Sequence, residues 1–404
     1  MECVTNTERD RTHTRQAIVV GGSIGGLGAA ALLRRQGWEV TVYERSPVTL
    51  AGAGAGIVVH PSTVRHFVEH RGMPLEQISC GAKFARVLDG AGTALYEEPC
   101  RYHFTSWTTL YATYLDSVGR GNYVLGEQLV ALEQDLDTAW ARFASGRVAE
   151  ADLVVCADGI GSTARELLVG QVTPAYSGYV GWRGVVEVDR LSPHTAQALT
   201  EALTYGVIND SHIVVYPIPD TDPGSVQTPK TLNYVWYRNV ESAEHLRALL
   251  TGKDGVERSL AMQPGLVRDE FTNELRAAAD AELPPVLAEL VNRTHEPFLQ
   301  VVVDLEVPEM AFGRVALIGD AAFAARPHAA AGTAKALENS WALAEALETF
   351  DDVEAALNDW SPAQLELGSN LVHRSRRLGE RAQFERAWTP GDPDLRFGLY
   401  GPGR

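Results

Sequence analysis

The chain is poor in cysteine, poor in basic charge and without a long apolar run. Its four cysteines, Cys3, Cys80, Cys100 and Cys156, form no C-x-x-C pair. That argues against structural zinc and redox dithiols, and no other His or Cys spacing suggests a metal. The polar N-terminus carries no signal-peptide pattern, so free thiols in a reducing cytoplasm are expected. No stretch approaches the ~20 apolar residues that span a bilayer, so no membrane partner is expected. Lysine and arginine number 35 against 52 acidic residues, a net charge of −17. This balance, with no basic patch interleaved with aromatics, argues against nucleic acid as a partner.

What remains is a 404-residue chain with 45% apolar and 22% charged residues, the composition of a globular protein with a large core. Its most informative stretch is 17–46, which reads strand, glycine turn, helix, strand, acidic end. Gly21, Gly22, Ser23, Ile24, Gly25 and Gly26 form the turn, and Glu44 closes the second strand. Glycines let a backbone approach a pyrophosphate, the helix N-terminus favours its charge, and the acidic residue accepts from ribose hydroxyls. This is the layout of a dinucleotide-binding βαβ unit. Ser23 replaces the middle glycine; its side chain narrows the approach, although its hydroxyl could donate to a phosphate.

Residues 1–15 read as a disordered lead-in. The small-residue run from Ala51 to Gly56 suits a backbone passing close to a planar or phosphate-bearing ligand. Asp89-Gly90 marks a hairpin, and Ser106 is placed to cap a helix over 107–118. A buried strand ends in Asp158-Gly159, with Arg165 early in the following helix. Between about 174 and 305 the texture changes to strand-like segments at 178–188, 205–216 and 231–240, then helical ones at 242–251 and 265–292. A third buried strand ends in Gly319-Asp320, followed by a small-residue loop through Pro327 to Gly332 and a helix. No second glycine fingerprint occurs. The expected division is a nucleotide-binding part over 16–173 and 306–390, the latter including C-terminal helices. A substrate-binding domain is inserted at 174–305, and a tail occupies 391–404.

Three motifs in this order, residues 21–26, Asp158-Gly159 with Arg165, and Gly319-Asp320 with Pro327 and Gly332, resemble the FAD-dependent aromatic hydroxylases of the para-hydroxybenzoate hydroxylase type. The nearest resemblance is to the 2,6-dihydroxypyridine 3-monooxygenase-like branch, carried by GGSIGGL (21–27), GAGIVVHPS (54–62), TSWTTLY (105–111), GYVGWRG (178–184), NYVWYRN (233–239) and GDAAFAARPHAAAGTAKA (319–336). Phe323 and Trp107 depart from the wider family, which often has a histidine and a basic residue at these places. The resemblance implies an α/β fold: a Rossmann-like FAD-binding domain of the glutathione reductase type with an inserted mixed β-sheet substrate domain and C-terminal helices. It implies FAD as resident cofactor and NADPH or NADH as a transient electron donor. Residues 21–26 would hold the FAD pyrophosphate, Glu44 the adenosine ribose, Arg45 the phosphate region and Leu129 the adenine. Gly56 belongs to the same cofactor set. Asp158 would stand between FAD and the nicotinamide, Asp320 at the ribityl or pyrophosphate region, and Pro327 to Gly332 along the isoalloxazine.

The implied reaction is hydroxylation of an electron-rich hydroxypyridine or phenol with O2 through a flavin C4a-hydroperoxide. A base or hydrogen-bond relay at the ring hydroxyl would assist it. His60 and Tyr216 are the first candidates, with His212 and His328 behind them; each also has a plain structural reading. Arg183 either orients an anionic substrate or braces the sheet. The partners implied are a small aromatic substrate and O2, and a homodimer is compatible with the family. The alternatives are a tailoring hydroxylase of a larger pyridine or phenolic natural product, another flavin oxidoreductase such as an oxidase, or a non-catalytic FAD-binding scaffold. The W-x-W-x-I-P motif of flavin halogenases is absent.

Overall fold

The structure is a computed structural model that describes residues 14–50, 55–219 and 230–404. Its centre is a six-stranded sheet ordered 311–312, 315–317, 153–156, 16–20, 39–44, 123–125. All pairs are parallel except the one between the first two strands. Val19, Val42, Val154 and Val155 are fully buried, as expected of parallel strands covered on both faces. Helix Ile24–Arg35 packs on this sheet, and Gly37 ends it with φ +88°, the left-handed conformation expected there. A three-stranded antiparallel sheet, 129–134, 139–143 and 148–151, stands beside it.

The second layer is a mixed nine-stranded sheet built on the central order 298–306, 175–187, 231–239, 211–218, 202–208. The hairpin 84–88 and 94–99 extends its far edge, so this sheet draws strands from well before residue 174. Asp89 shapes the hairpin turn by accepting from the amides of Ala91 and Thr93. Side chains alternate across the sheet. Trp182, Ile213, Val215, Tyr234 and Trp236 enter one core, whereas Arg183, Val214, Tyr216, Val235 and Tyr237 face the first sheet across a cleft.

The Ser106 cap forms: its hydroxyl accepts from the Thr109 amide at 3.0 Å and the helix runs Trp107–Val118. Three expectations need correction. The segment 205–216 is two strands, because Asn209-Asp210 makes the turn between them and Asp210 takes φ +55°. The helical stretch 265–292 is split into Asp269–Glu282 and Pro285–Asn292, since Pro284-Pro285 cannot continue a helix. The residues after 391 are no loose tail: Phe397 and Leu399 are buried, and Arg374 donates to the Gly398 carbonyl at 2.8 Å. Of the expected disordered lead-in, residues 1–13 lie outside the described residues, as do 51–54 of the small-residue run.

The long C-terminal helix Val353–Gln383 packs against helix Gly332–Thr349, which in turn packs on helix Ile24–Arg35. The contact between the last two is close: a Cβ at Gly28 would overlap the Leu337 side chain. Gly28→Val is expected to lower stability by about 1–3 kcal/mol through overpacking. Gly37→Ala, with open space around it, is expected to cost only about 1 kcal/mol, from its left-handed backbone. Thermal unfolding of the two variants gives the comparison.

Candidate functional site

A cleft of about 580 Å³ runs from the glycine turn to the face of the nine-stranded sheet. Ser23, Ile24, Gly25, Arg45 and Gly56 line it, as do Asp158, Asp320, Pro327 and Gly332. Gly21, Gly22, Gly26 and Glu44 build the turn behind that surface. Leu129 is buried in the core cluster that holds Val19 and Val42, and is not part of the cleft wall.

The turn is shaped by close approach. Gly21 has φ +104°, and a Cβ there would strike the Ala157 carbonyl. Glu44 is buried, its two carboxylate oxygens accepting from the amides of Gly22 and Ser46, both at 2.8 Å. Tyr123, overlooked in the sequence, donates to the Gly22 carbonyl at 3.0 Å, and its ring occupies the space a Gly22 side chain would need. The helices starting at Trp107, Thr163, Pro193, Ala243 and Val353 each have a side-chain cap. The two that begin at the cleft, after Ser23 and after Ala331, have none, as is also true of the helices starting at Asp269 and Pro285. The first amides of the two at the cleft are therefore available to an anion or a polar ring edge. Glycine-lined backbone, uncapped helix starts and a buried carboxylate one strand away fit the phosphates and ribose of FAD.

Asp158 is committed locally, accepting from Ser162 Oγ at 2.5 Å and from the Ala164 amide at 3.1 Å, and so holds the start of helix Thr163–Val169. Arg165 donates to the carbonyls of Ala321 and Ile160, tying the D-G turn to the G-D turn. Asp320 pairs with Lys335, whose fully buried ammonium lies 2.8 Å from Oδ1 and also bonds the Phe323 carbonyl. Gly319 takes φ +62°, and its amide donates to Asn339 Oδ1 at 3.0 Å; Asn339 in turn donates to Gln364. Lys335 was legible in principle, since it is the sole charged residue between Arg326 and Glu338. Phe323 fills the space opposite Gly368, and Trp107 stacks on Tyr111 at 4.8 Å.

His60 does not line the cleft. Its Nε2 is 3.0 Å from the carbonyl of Ala330, a non-glycine residue at φ +53°. Burial lowers its pKa. It braces the strained loop between Pro327 and Gly332. Tyr216 does line the cleft, stacked on Phe104 at 4.7 Å, with burial pushing its phenol up to about 12. Asn233, beside it, holds the Gly56 amide at 2.8 Å. Farther along the sheet, His212, His328, Tyr179 and Tyr237 cluster. Tyr179 Oη is 2.7 Å from His328 Nε2, and Gln383 Nε2 is 2.9 Å from His212 Nδ1. With that amide donating to Nδ1, the hydrogen of neutral His212 sits on Nε2. Burial drives His212 down to about 3 and His328 well below its ordinary value, so both are neutral.

Two family profiles match the chain: an NAD(P)-binding Rossmann-like domain over residues 19–71 and an FAD binding domain-like profile over 176–304. A 2,6-dihydroxypyridine 3-monooxygenase of Paenarthrobacter nicotinovorans is 36% identical over 387 residues, covering 96% of each chain. A 3-amino-4-hydroxybenzoate 2-monooxygenase of Streptomyces platensis is 31% identical over 379 residues, covering 89% of this chain and 87% of that protein. The solved 2,6-dihydroxypyridine-3-hydroxylase of Arthrobacter nicotinovorans superposes with a TM-score of 0.91 at 35% identity, over 97% of this chain and 98% of that one.

The G-D pair gives an ordered expectation. Asp320→Asn strands a fully buried ammonium and is expected to cost about 3–5 kcal/mol. Lys335→Met leaves a carboxylate that is 45% exposed, which water can solvate, so it should melt above Asp320→Asn and below the parent. The histidines set an acid limit. Their folded values lie below the ordinary 6.5, so the unfolded chain takes up these protons first. The stability they secure is complete above about pH 6.5 and is lost as pH falls toward the folded values. For His212 the loss by pH 5 is about 2 kcal/mol, and His212→Gln should flatten that limb of a melting-temperature profile.

Proposed function

The chain belongs to the FAD-dependent aromatic hydroxylases of the para-hydroxybenzoate hydroxylase type, and we propose that its substrate is a hydroxypyridine, with 2,6-dihydroxypyridine the first compound to test. It is a monooxygenase of hydroxylated aromatic rings. The observation that carries the hydroxypyridine reading is one cleft with a glycine-lined start at one end and a neutral aromatic wall at the other, in a chain similar over its length to an enzyme of that name.

When bound, FAD supplies the redox chemistry between a reduced nicotinamide and O2. Gly21 to Gly26 would receive its pyrophosphate with Arg45 alongside, and Glu44 would keep lone pairs for the ribose. Gly56 and the loop Pro327 to Gly332 would border the ring, and the uncapped helix start after Ala331 would offer its amides to a polar group there. Asp320, fixed by Lys335, would hold the linker. Leu129 supports this half from the core. The single glycine turn leaves NADPH or NADH as a visitor. The six-stranded sheet serves the cofactor and the nine-stranded sheet the ring, with 84–99 counted in the second. Tyr216 is the relay: its neutral hydroxyl donates to the ring oxygen, and His212 Nε2–H is a further neutral donor farther along the cleft. His60 holds the loop instead of acting as a base. Cys80, Cys100 and Cys156 are unpaired, and no described helix is long and apolar enough to cross a membrane; a cytoplasmic setting fits both.

Anaerobic stopped-flow reduction with NADH and NADPH across hydroxypyridines and phenols tests the reading. The true ring should accelerate reduction and then gain an oxygen atom from ¹⁸O2. Oxidation of a non-aromatic compound with H2O2 release and no ring oxygenation would sink it. Tyr216→Phe should keep its FAD and lose about 10²–10⁴-fold in kcat.

A further inference from the structure

We propose that Arg183 is the anion-recognition residue of the ring site, its guanidinium pairing with a negatively charged oxygen of the aromatic substrate, a ring olate or a carboxylate. The proposal rests on the function proposed above and specifies the charge of the substrate. Arg183 lies in strand Ala175–Glu187, paired with Val235 on one side and Phe298 on the other, and lines the cleft. A guanidinium that braced a sheet would bond a carboxylate or carbonyls. Arg183 forms no ion pair and no hydrogen bond among the described residues, and its Nε is buried without a partner.

The other charges of the cleft are placed elsewhere or already used. Arg45 is exposed beside the glycine turn, Asp158 is held by Ser162 and Ala164, and Asp320 by Lys335. On the sheet wall Tyr216, Tyr237 and His212 are neutral, as is His328 on the loop beside it, and Tyr216 and Tyr237 both feel the Arg183 charge. A lone cation among neutral donors is the surrounding in which an anionic oxygen is held most strongly, since charge-assisted bonds exceed neutral ones. The pairing also keeps a hydroxylated ring ionised, which makes it electron-rich and suited to electrophilic oxygen.

The test titrates FAD-loaded enzyme, by its flavin spectrum, with two matched pairs: 2,6-dihydroxypyridine against 2,6-dimethoxypyridine, and 4-hydroxybenzoate against its methyl ester. Arg183→Met should weaken the ionisable member of the bound pair by about tenfold or more and the blocked member by less than about threefold. Arg183→Lys should recover part of the loss, and it carries the test if the methionine variant does not fold. Equal weakening within a pair, no weakening, or loss of FAD from both variants overturns the proposal. If the parent binds only the benzoate pair and the variants still discriminate, Arg183 keeps its role and the hydroxypyridine reading falls. If the parent binds neither pair, both readings fall.

Discussion

The close seating of helix Ile24–Arg35 against helix Gly332–Thr349 is the constraint on which the site depends. These segments are some 300 residues apart in the chain, yet a Cβ on Gly25 would lie 3.2 Å from that of Ala336, and one on Gly28 would overlap Leu337. Ser340 reaches the Gly25 carbonyl at 3.4 Å. Small residues on both helices permit this separation, and it brings two uncapped helix starts to one cleft. Their unbonded amides would be costly in a closed interior. At the mouth of a cleft they stay open to an anionic, ring-bearing ligand, which is the role proposed for them.

The same packing explains why a lysine is buried. The Lys335 ammonium is enclosed because the helix carrying it sits on the G-D turn, and it is tolerable because Asp320 and the Phe323 carbonyl satisfy it. Asn339, one turn later on that helix, takes the Gly319 amide. Helix, turn and aspartate are thus tied to one another. Arg326 performs a parallel service one loop later, bonding buried Asp304 of the other sheet at 2.9 Å. Between them, the two ion pairs fix both ends of the segment that borders the cleft.

Legibility in the sequence followed the range of the interaction. The βαβ unit, the Ser106 cap and the left-handed Gly37 are local, written in residues a few positions apart. The turn at Asn209-Asp210 and the break at Pro284-Pro285 were equally local and were overridden by the apparent continuity of a strand-like and a helical pattern. Tyr123 under Gly22, Asn233 against Gly56 and Gln383 behind His212 link residues 101, 177 and 171 positions apart. No periodicity or spacing carries such contacts. The C-terminal residues misled by composition: proline and glycine read as a tail, while Phe397 and Leu399 supplied the anchors that pack it.

His60 and Tyr216 show why residue type alone did not sort the site. Both are buried and both can exchange a proton. The imidazole is spent on the carbonyl of Ala330, where a left-handed alanine needs a partner to stay in place. The phenol faces the cleft with its pKa raised, so at neutral pH it is a donor. His212, oriented by Gln383, is a donor as well. A wall of neutral donors cannot pull a proton from a ring by itself; it can only stabilise a ring oxygen already negative. The basicity the reaction calls for then comes from lowering the substrate's own pKa, and the wall needs a fixed cation to do so. Arg183, without a partner among the described residues, is the group on that wall proposed to supply it.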